Sequence, residues 1–246
     1  MDQNKQQYTD KVICICPTYN RKLFLPSLIY QFVYQTYPKE LLELVILDDS
    51  DKPNYDIINS LHKDIRSRIH YMYSSEKNTI GKKRNMLNDI ATRLGAKYIA
   101  CVDDDDYYPK DRIEYSVKAL KSSNYLICGS SILNIYDIST KNIHTLGPYI
   151  NAVYPGHASC GTLMYDVKYL ENNSFKDDAC MAEESYFLNH FKCNLKQIPI
   201  SHIMLCISHK SNTVSKNKLL TNANKTNLVI KDIIIDKFLL NFYSSL

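Results

Sequence analysis

Tyr98-Ile99-Ala100-Cys101-Val102-Asp103-Asp104-Asp105-Asp106 sets an apolar run directly against four aspartates. A short unbroken apolar run that ends in charge is the pattern of a strand buried on both faces of a parallel sheet. A helical pattern precedes it at 82–94 and another follows at 112–121. Upstream the same alternation repeats: apolar 12–16 before helical 23–35, apolar 44–47 before 55–63, and apolar 69–73 before 82–94. Strand and helix in turn predict an α/β domain, Rossmann-like, with a mainly parallel central sheet flanked by helices. From Tyr125 the pattern is mixed, with strand-like runs at 125–136, 161–165 and 203–208 and a helix at 183–191. Turns fall at Gly147-Pro148 and Pro155-Gly156, and 227–243 reads as one apolar-rich helix of irregular period.

The length of 246 residues suits one large α/β domain, and 45% hydrophobic against 23% charged residues supplies a sizeable core, which excludes a disordered chain. No apolar run reaches a membrane span and the first residues are polar, so the expectation is a soluble cytoplasmic protein without a signal peptide. The net charge of +4 comes from scattered lysines and arginines, which argues against a nucleic-acid partner. Eight cysteines without a C-x-x-C pair predict reduced core thiols rather than a zinc site.

In open α/β sheets the ligand lies outside the carboxyl ends of the strands, so the residues just after each strand carry the reading. These are Pro17-Thr18-Tyr19-Asn20-Arg21, Asp48-Asp49-Ser50-Asp51 and Asp103-Asp104-Asp105-Asp106. Adjacent carboxylates repel by about 1–4 kcal/mol at ~4 Å, and Mg²⁺ or Mn²⁺ relieves that while using one or two carboxylates with water and phosphate oxygens. A solvated acidic turn is the alternative. Asp48 and Asp49 can accept from a nucleotide base or ribose, or simply form an Asx turn. Gly81-Lys82-Lys83-Arg84-Asn85 opens a helix and suits a diphosphate, though it is no Walker loop and the chain's 6 glycines form no Gly-rich cradle. Glu183-Glu184 serves either as acidic residues at a helix start or as a general base. His209, after the last apolar run, can complete a metal shell or touch a phosphate; His157 and Cys160 flank a Gly-containing turn.

In this order the motifs resemble the family 2 glycosyltransferases with the GT-A fold, over roughly 11–215. The P-T-Y-N segment is matched by Pro17 to Asn20, the D-D-x-S loop by Asp48 to Asp51, the G-x-x-x-x-N helix start by Gly81 to Asn85, the D-x-D motif by Asp103 to Asp105, and the late acidic pair by Glu183-Glu184. The resemblance implies one GT-A domain: a nucleotide-sugar-binding half at 11–122, an acceptor-binding half at 123–215 and a C-terminal tail at 216–246. It implies that Pro17, Thr18, Tyr19, Asn20 and Asp49 border the nucleotide base, that Arg84 approaches base or diphosphate, and that Asp103 and Asp104 border ribose and metal. Asp105 is then the main ligand of Mn²⁺ or Mg²⁺, with Asp103 and His209 as further metal candidates and Asp106 behind. Glu184 aligns with the family's catalytic aspartate, a departure from the commoner Glu-Asp pair that leaves Glu183 as the other candidate base. His157 and Cys160 fall on the acceptor side.

The implied reaction is inverting transfer of a sugar from a nucleotide-sugar, a UDP-sugar foremost, to a hydroxyl of a glycan, lipid-linked or protein acceptor. A sugar-phosphate nucleotidyltransferase predicts a Gly-rich loop after the first strand, which 17–21 lacks; a catalytically silent nucleotide-sugar-binding module predicts binding without turnover. The tail at 227–243 offers core packing, a homodimer contact or peripheral membrane contact.

Overall fold

The computed structural model describes residues 8–212 and 216–246. The main sheet starts with β1 (Val12–Thr18), every residue of which is buried. Its alternate side chains feed two cores, as the period of two requires. Val12, Cys14 and Cys16 face α1 (Leu25–Tyr34) and α5 (Arg112–Lys121), while Ile13 and Ile15 face α4 (Ile80–Arg93). β2 (Leu42–Asp48), β3 (Ile69–Tyr73) and β4 (Tyr98–Cys101) run parallel to β1, and the helical crossovers follow from that. Beyond β4 lie β5 (Ile127–Gly129), β8 (Met164–Asp166) and β9 (Lys196–Gln197), giving the order β3-β2-β1-β4-β8-β5-β9 with β8 antiparallel to both neighbours. The mainly parallel α/β architecture is the one expected from the alternation.

A second sheet, β10-β6-β7-β11, is built from β6 (Leu133–Asp137), β7 (Asn142–Leu146), β10 (Cys206–Ser208) and β11 (Asn224–Lys225). The run 125–136 is therefore two strands rather than one. Its backbone leaves the first sheet where Ser130 N–H donates to Thr162 Oγ1 (3.0 Å) and Ser131 N–H to Gln197 Oε1 (2.9 Å), side chains replacing a ladder partner.

Three helices also differ from expectation. The stretch 55–63 divides into α2 (Tyr55–Asn59) and α3 (Lys63–Arg66), because His62 Nδ1 accepts from Asp64 N–H and starts a new helix. The stretch 183–191 holds only α6 (Glu184–Phe187), since Asn189, His190 and Phe191 all take positive φ (49°, 53° and 64°). After α7 (Asn217–Thr221), the tail forms α8 (Ile230–Ile233) and α9 (Lys237–Ser245), the second restarted by Asp236, whose side chain accepts from Leu239 N–H at 2.9 Å. The irregular period of the tail is this break. Leu239 and Tyr243 pack with Tyr136, Ile143, Leu205 and Ile207, so the tail covers the second sheet. No helix among the described residues is long and apolar enough to cross a membrane.

Candidate active site

Three strand ends and two later segments meet at the carboxyl edge of β1, β2 and β4. Hydrogen bonds join them in a chain. After β1, Thr18 donates to Asp104 Oδ2 at 2.5 Å, which ties the first loop to the four-aspartate loop. Pro17 is buried within β1, and Asn20, at φ 53°, turns the backbone so that its N–H reaches Ser50 Oγ (2.6 Å) and its amide reaches Asp51 Oδ2 (3.1 Å). Tyr19 stays at the rim, its ring under the Lys77 ammonium at 3.9 Å.

The two aspartates after β2 have different surroundings. Asp48 is wholly engaged by neutral donors: Ser50 N–H (2.9 Å), Asn54 Nδ2 (2.8 Å) and Tyr71 Oη (2.6 Å). It is a structural turn, as the Asx reading allows. Asp49 accepts from Asn78 N–H (2.8 Å) and from Lys83 Nζ (2.7 Å), which also reaches Thr18 O (3.1 Å). The Asp49 side chain is fully buried, so these contacts close it to solvent and it supports the loop from behind.

Arg84 is 1% exposed. It lies beneath the site, donating from Nη2 to Asp103 Oδ1 (2.6 Å) and from Nε to Glu183 Oε1 (3.5 Å), while Nη1 is buried without a partner. The residue expected beside base or diphosphate thus links the acidic loop to the late glutamates. α4 comes this close to 176–179 because residue 81 is glycine: a Cβ there would stand 1.9 Å from Lys176 O.

Within the acidic loop each carboxyl is sorted by its neighbours. Asp103 takes Arg84, and its N–H donates to Tyr108 Oη (2.6 Å). Burial and the adjacent Asp105 charge push the Asp104 carboxyl well above the carboxylate range. For Asp105 burial is outweighed by a hydrogen bond to His209 and by the Lys216 and Arg21 charges, which hold it down at about 2. His209 Nε2 (3.0 Å), Asn212 Nδ2 (3.1 Å) and Arg21 Nη1 (3.3 Å) surround the single oxygen Asp105 Oδ2. Asp106 turns inward to accept from Ile207 N–H (2.8 Å) and lies 3.7 Å from Lys216 Nζ; burial raises it to about 7.

Among the described residues no three His, Cys, Asp or Glu side chains form a closed metal cage. An open site does not require one. Asp105 and His209 offer one hard oxygen and one imidazole nitrogen together, and a Mg²⁺ or Mn²⁺ shell completed by water and phosphate oxygens asks for no more. The donor set fits that kind of ion, with Arg21 and Asn212 as the groups that hold Asp105 otherwise.

Glu183 and Glu184 follow Ala182, which sits at φ 49°. A non-glycine residue in this region costs about 1–3 kcal/mol, a cost that concentrates at functional sites. Glu183 is tied to Arg84; the Glu184 carboxylate is in contact with no cation among the described residues and keeps only a backbone N–H as donor, and burial beside the Glu183 charge raises it to about 7. Cys160 is 7% exposed, packed in the core under this edge, and His157 stacks against Tyr149 and Phe191. All eight cysteines are free thiols, as expected.

Sequence reasoning missed Arg21, Lys83, Asn212 and Lys216. Arg21 and Lys83 sit inside motifs already singled out and were legible as nearby cations. Asn212 and Lys216 lie 107 and 110 positions after their aspartates, counted from the residue numbers, and carry no local signal.

Acidic and basic residues gathered at the carboxyl edge of a parallel sheet define a Rossmann-like α/β protein with its ligand site at the strand ends. The sequence profile of Glycosyl transferase family 2 matches residues 13–191, well over half of the chain, and the chain belongs to that family. An uncharacterized glycosyltransferase of Rickettsia felis is 30% identical over 149 residues, 61% of this chain and 22% of that protein. A putative teichuronic acid biosynthesis glycosyltransferase, TuaG of Bacillus subtilis, is 26% identical over 50% of this chain and 47% of its own length. The chain thus spans about a fifth to a half of these relatives. Among solved structures, S. aureus TarS 1-349 in complex with UDP-GlcNAc superimposes with TM-score 0.58 at 17% identity, covering 86% of this chain and 64% of TarS 1-349. The mannosyltransferase PcManGT of Pyrobaculum calidifontis, in complex with GDP-Man and Mn²⁺, gives 0.61 at 16% identity, covering 83% and 59%. These likenesses establish the GT-A fold.

Proposed function

We propose that the chain transfers a sugar from a nucleotide-sugar, a UDP-sugar foremost, to an acceptor hydroxyl with inversion at the anomeric carbon, aided by Mn²⁺ or Mg²⁺. The observation that carries the reading is the separation of roles between Glu183 and Glu184. One is tied to Arg84; the other is in contact with no cation among the described residues and is raised to about 7, the value that suits a general base near neutral pH.

Asp49, fully buried and fixed by Lys83, supports the base end from behind, and Tyr19 borders the base at the rim. UDP is favoured because TarS, of the same fold, is described with UDP-GlcNAc, while PcManGT with GDP-Man keeps a second nucleotide within the panel to test. Asp103 and Thr18-bound Asp104 border the ribose and diphosphate. Asp105 and His209, with Asp103 alongside, would hold the divalent ion, which when bound supplies positive charge to the departing diphosphate. Glu184 removes the proton of the acceptor hydroxyl, whose oxygen forms the new bond to the anomeric carbon as the bond to the diphosphate oxygen breaks. Arg84 keeps Asp103 and Glu183 in register and so fixes the distance between the donor and base ends, where positioning contributes heavily.

Release of free nucleotide from UDP-, GDP- and dTDP-sugars, with and without Mn²⁺, tests the reading. Turnover of one donor by the wild type and its loss in Asp105→Asn and Glu184→Gln is the expected result. Binding of a donor by calorimetry with no turnover under any condition would overturn it in favour of a silent binding module.

A further inference from the structure

The loop at 147–160, between β7 and the 3-10 turn Cys160–Thr162, carries three aromatic rings, and the residues after α6 add a fourth. They form a continuous row. Ring centroids are 5.1 Å apart for Tyr149 and His157, 4.5 Å for His157 and Phe191, and 6.3 Å for Phe191 and Tyr154. The two end members, Tyr149 and Tyr154, are each 43% exposed, and Tyr186, two residues after Glu184, is 52% exposed.

The row is fastened at several points. Gly156 N–H donates to Phe191 O (2.9 Å), Gln197 Nε2 to His157 O (2.8 Å), and Asn151 Oδ1 accepts from Val153 and Tyr154 N–H (2.8 and 2.9 Å). Residue 156 must be glycine for this contact, since a Cβ would stand 2.3 Å from Cys193 O. The three positive-φ residues 189–191 bring Phe191 to the loop. Fixed aromatic surface left in solvent beside a candidate site is a binding feature rather than unfinished core.

Charge narrows what it binds. No Asp, Glu, Lys or Arg occurs between Lys141 and Asp166, although 23% of the whole chain is charged. The residues adjoining the four rings in sequence include a single cation, Lys192 after Phe191, whereas an anionic lipid surface calls for a cluster of lysines and arginines. A neutral polyol does not: the C–H face of a pyranose packs on an aromatic ring while its hydroxyls find the tyrosine Oη groups and the imidazole.

Position fixes which part of the substrate is held. Three chain steps lead from His157 to Cys160, a reach of at most about 11 Å. Cys160 adjoins Gly161, whose Cβ position lies 2.7 Å from Asp103 Oδ2, and His190 N–H donates to Ser185 O (2.6 Å), which ties Phe191 to the residue after Glu184. The row therefore reaches within about 15 Å of Glu184, a few sugar rings at most. Resting on the transferase reading above, we propose that it is a subsite for a neutral sugar ring one or two units removed from the reacting hydroxyl, so that the acceptor is a glycan of at least two units.

Saturation-transfer NMR on the full chain with methyl β-glucoside, cellobiose, maltose and N,N′-diacetylchitobiose tests this. A disaccharide should receive saturation concentrated on the C–H protons of one ring face, more strongly than the monosaccharide. Tyr149→Ala or Tyr154→Ala should weaken that binding about threefold or more, and Tyr154→Phe should restore most of it. Thermal melting of each variant separates loss of the subsite from loss of the fold. Absence of saturation transfer to every sugar in the panel, or wild-type binding by both alanine variants, overturns the proposal. So does tyrosine-dependent binding of phosphatidylglycerol vesicles without sugar binding. Nucleotide release by the wild type reports separately on the transferase reading: tyrosine-dependent sugar binding without any donor turnover would refute the chemistry while leaving the subsite.

Discussion

Replacing Glu184 with glutamine should stabilise the fold while abolishing transfer, and the size of the gain follows from the environment of the carboxyl. Burial, with the Glu183 charge beside it, moves the group from its ordinary 4.5 to about 7. The folded state then holds a proton that the unfolded state has released, and stability falls as pH rises across that interval. At about 1.4 kcal/mol per pH unit the full cost above pH 7 is about 3 kcal/mol, and water reaching the carboxylate makes this an upper bound. Glutamine keeps the shape and removes the charge. For a chain of this size each kcal/mol is worth roughly 2–4 °C, so Glu184→Gln should melt up to about 6–12 °C above the wild type at pH 8.5. At pH 4.5, where both carry a neutral side chain, the two should melt together. Nucleotide release should meanwhile rise in the wild type as pH passes upward through about 7 and be lost in the variant. A melting difference that is the same at both pH values, or a variant less stable at pH 8.5, would refute the assignment of Glu184 as the carboxyl whose pKa burial raises.

Asp105→Asn should lower Mn²⁺-dependent nucleotide release by at least about a hundredfold, because several kcal/mol of charge stabilisation of the leaving group depend on the ion it would hold; manganese titration of both proteins checks this. Arg84→Met should destabilise by about 3–5 kcal/mol in urea denaturation at pH 8, since Asp103 and Glu183 would lose their shared buried cation. Gly161→Ala places a Cβ 2.7 Å from Asp103 Oδ2 and 2.9 Å from Met204 Sδ, so it should cost about 1–3 kcal/mol and raise the donor KM by displacing Asp103. A wild-type KM for that variant would show that Asp103 does not need its observed position.

The sheet and the acidic edge were legible because both depend on local pattern. An apolar run followed by aspartates identifies β4 whatever lies elsewhere, and the same holds for β1 before Thr18 and β2 before Asp48-Asp49. What failed depends on contacts distant in sequence. β5 and β6 read as one strand because Thr162 and Gln197, which interrupt the ladder, arrive more than thirty residues later. Nothing in Asn189-His190-Phe191 announces positive φ, so the helix seemed to continue through them. His157 and Cys160 looked equivalent on either side of a turn; packing makes one a member of an aromatic row and buries the other.

The same distance dependence explains how a site so rich in like charges keeps distinct roles. Two adjacent acidic pairs, Asp104-Asp105 and Glu183-Glu184, are each divided by a cation that forms an ion pair with one member. Arg21 with His209 keeps Asp105 ionised, while Asp104, bonded to Thr18, is driven toward its neutral form. Arg84 takes Glu183 and leaves Glu184 to rise to about 7. Environments that push neighbouring carboxyls apart keep one member of each pair ionised and the other closer to neutral, the pattern the proposed ligand and base roles require. Arg84 touches both ends of that arrangement, through Asp103 and Glu183, so its loss should perturb the acidic loop and the glutamate pair together, whereas loss of Arg21 should perturb the acidic loop alone.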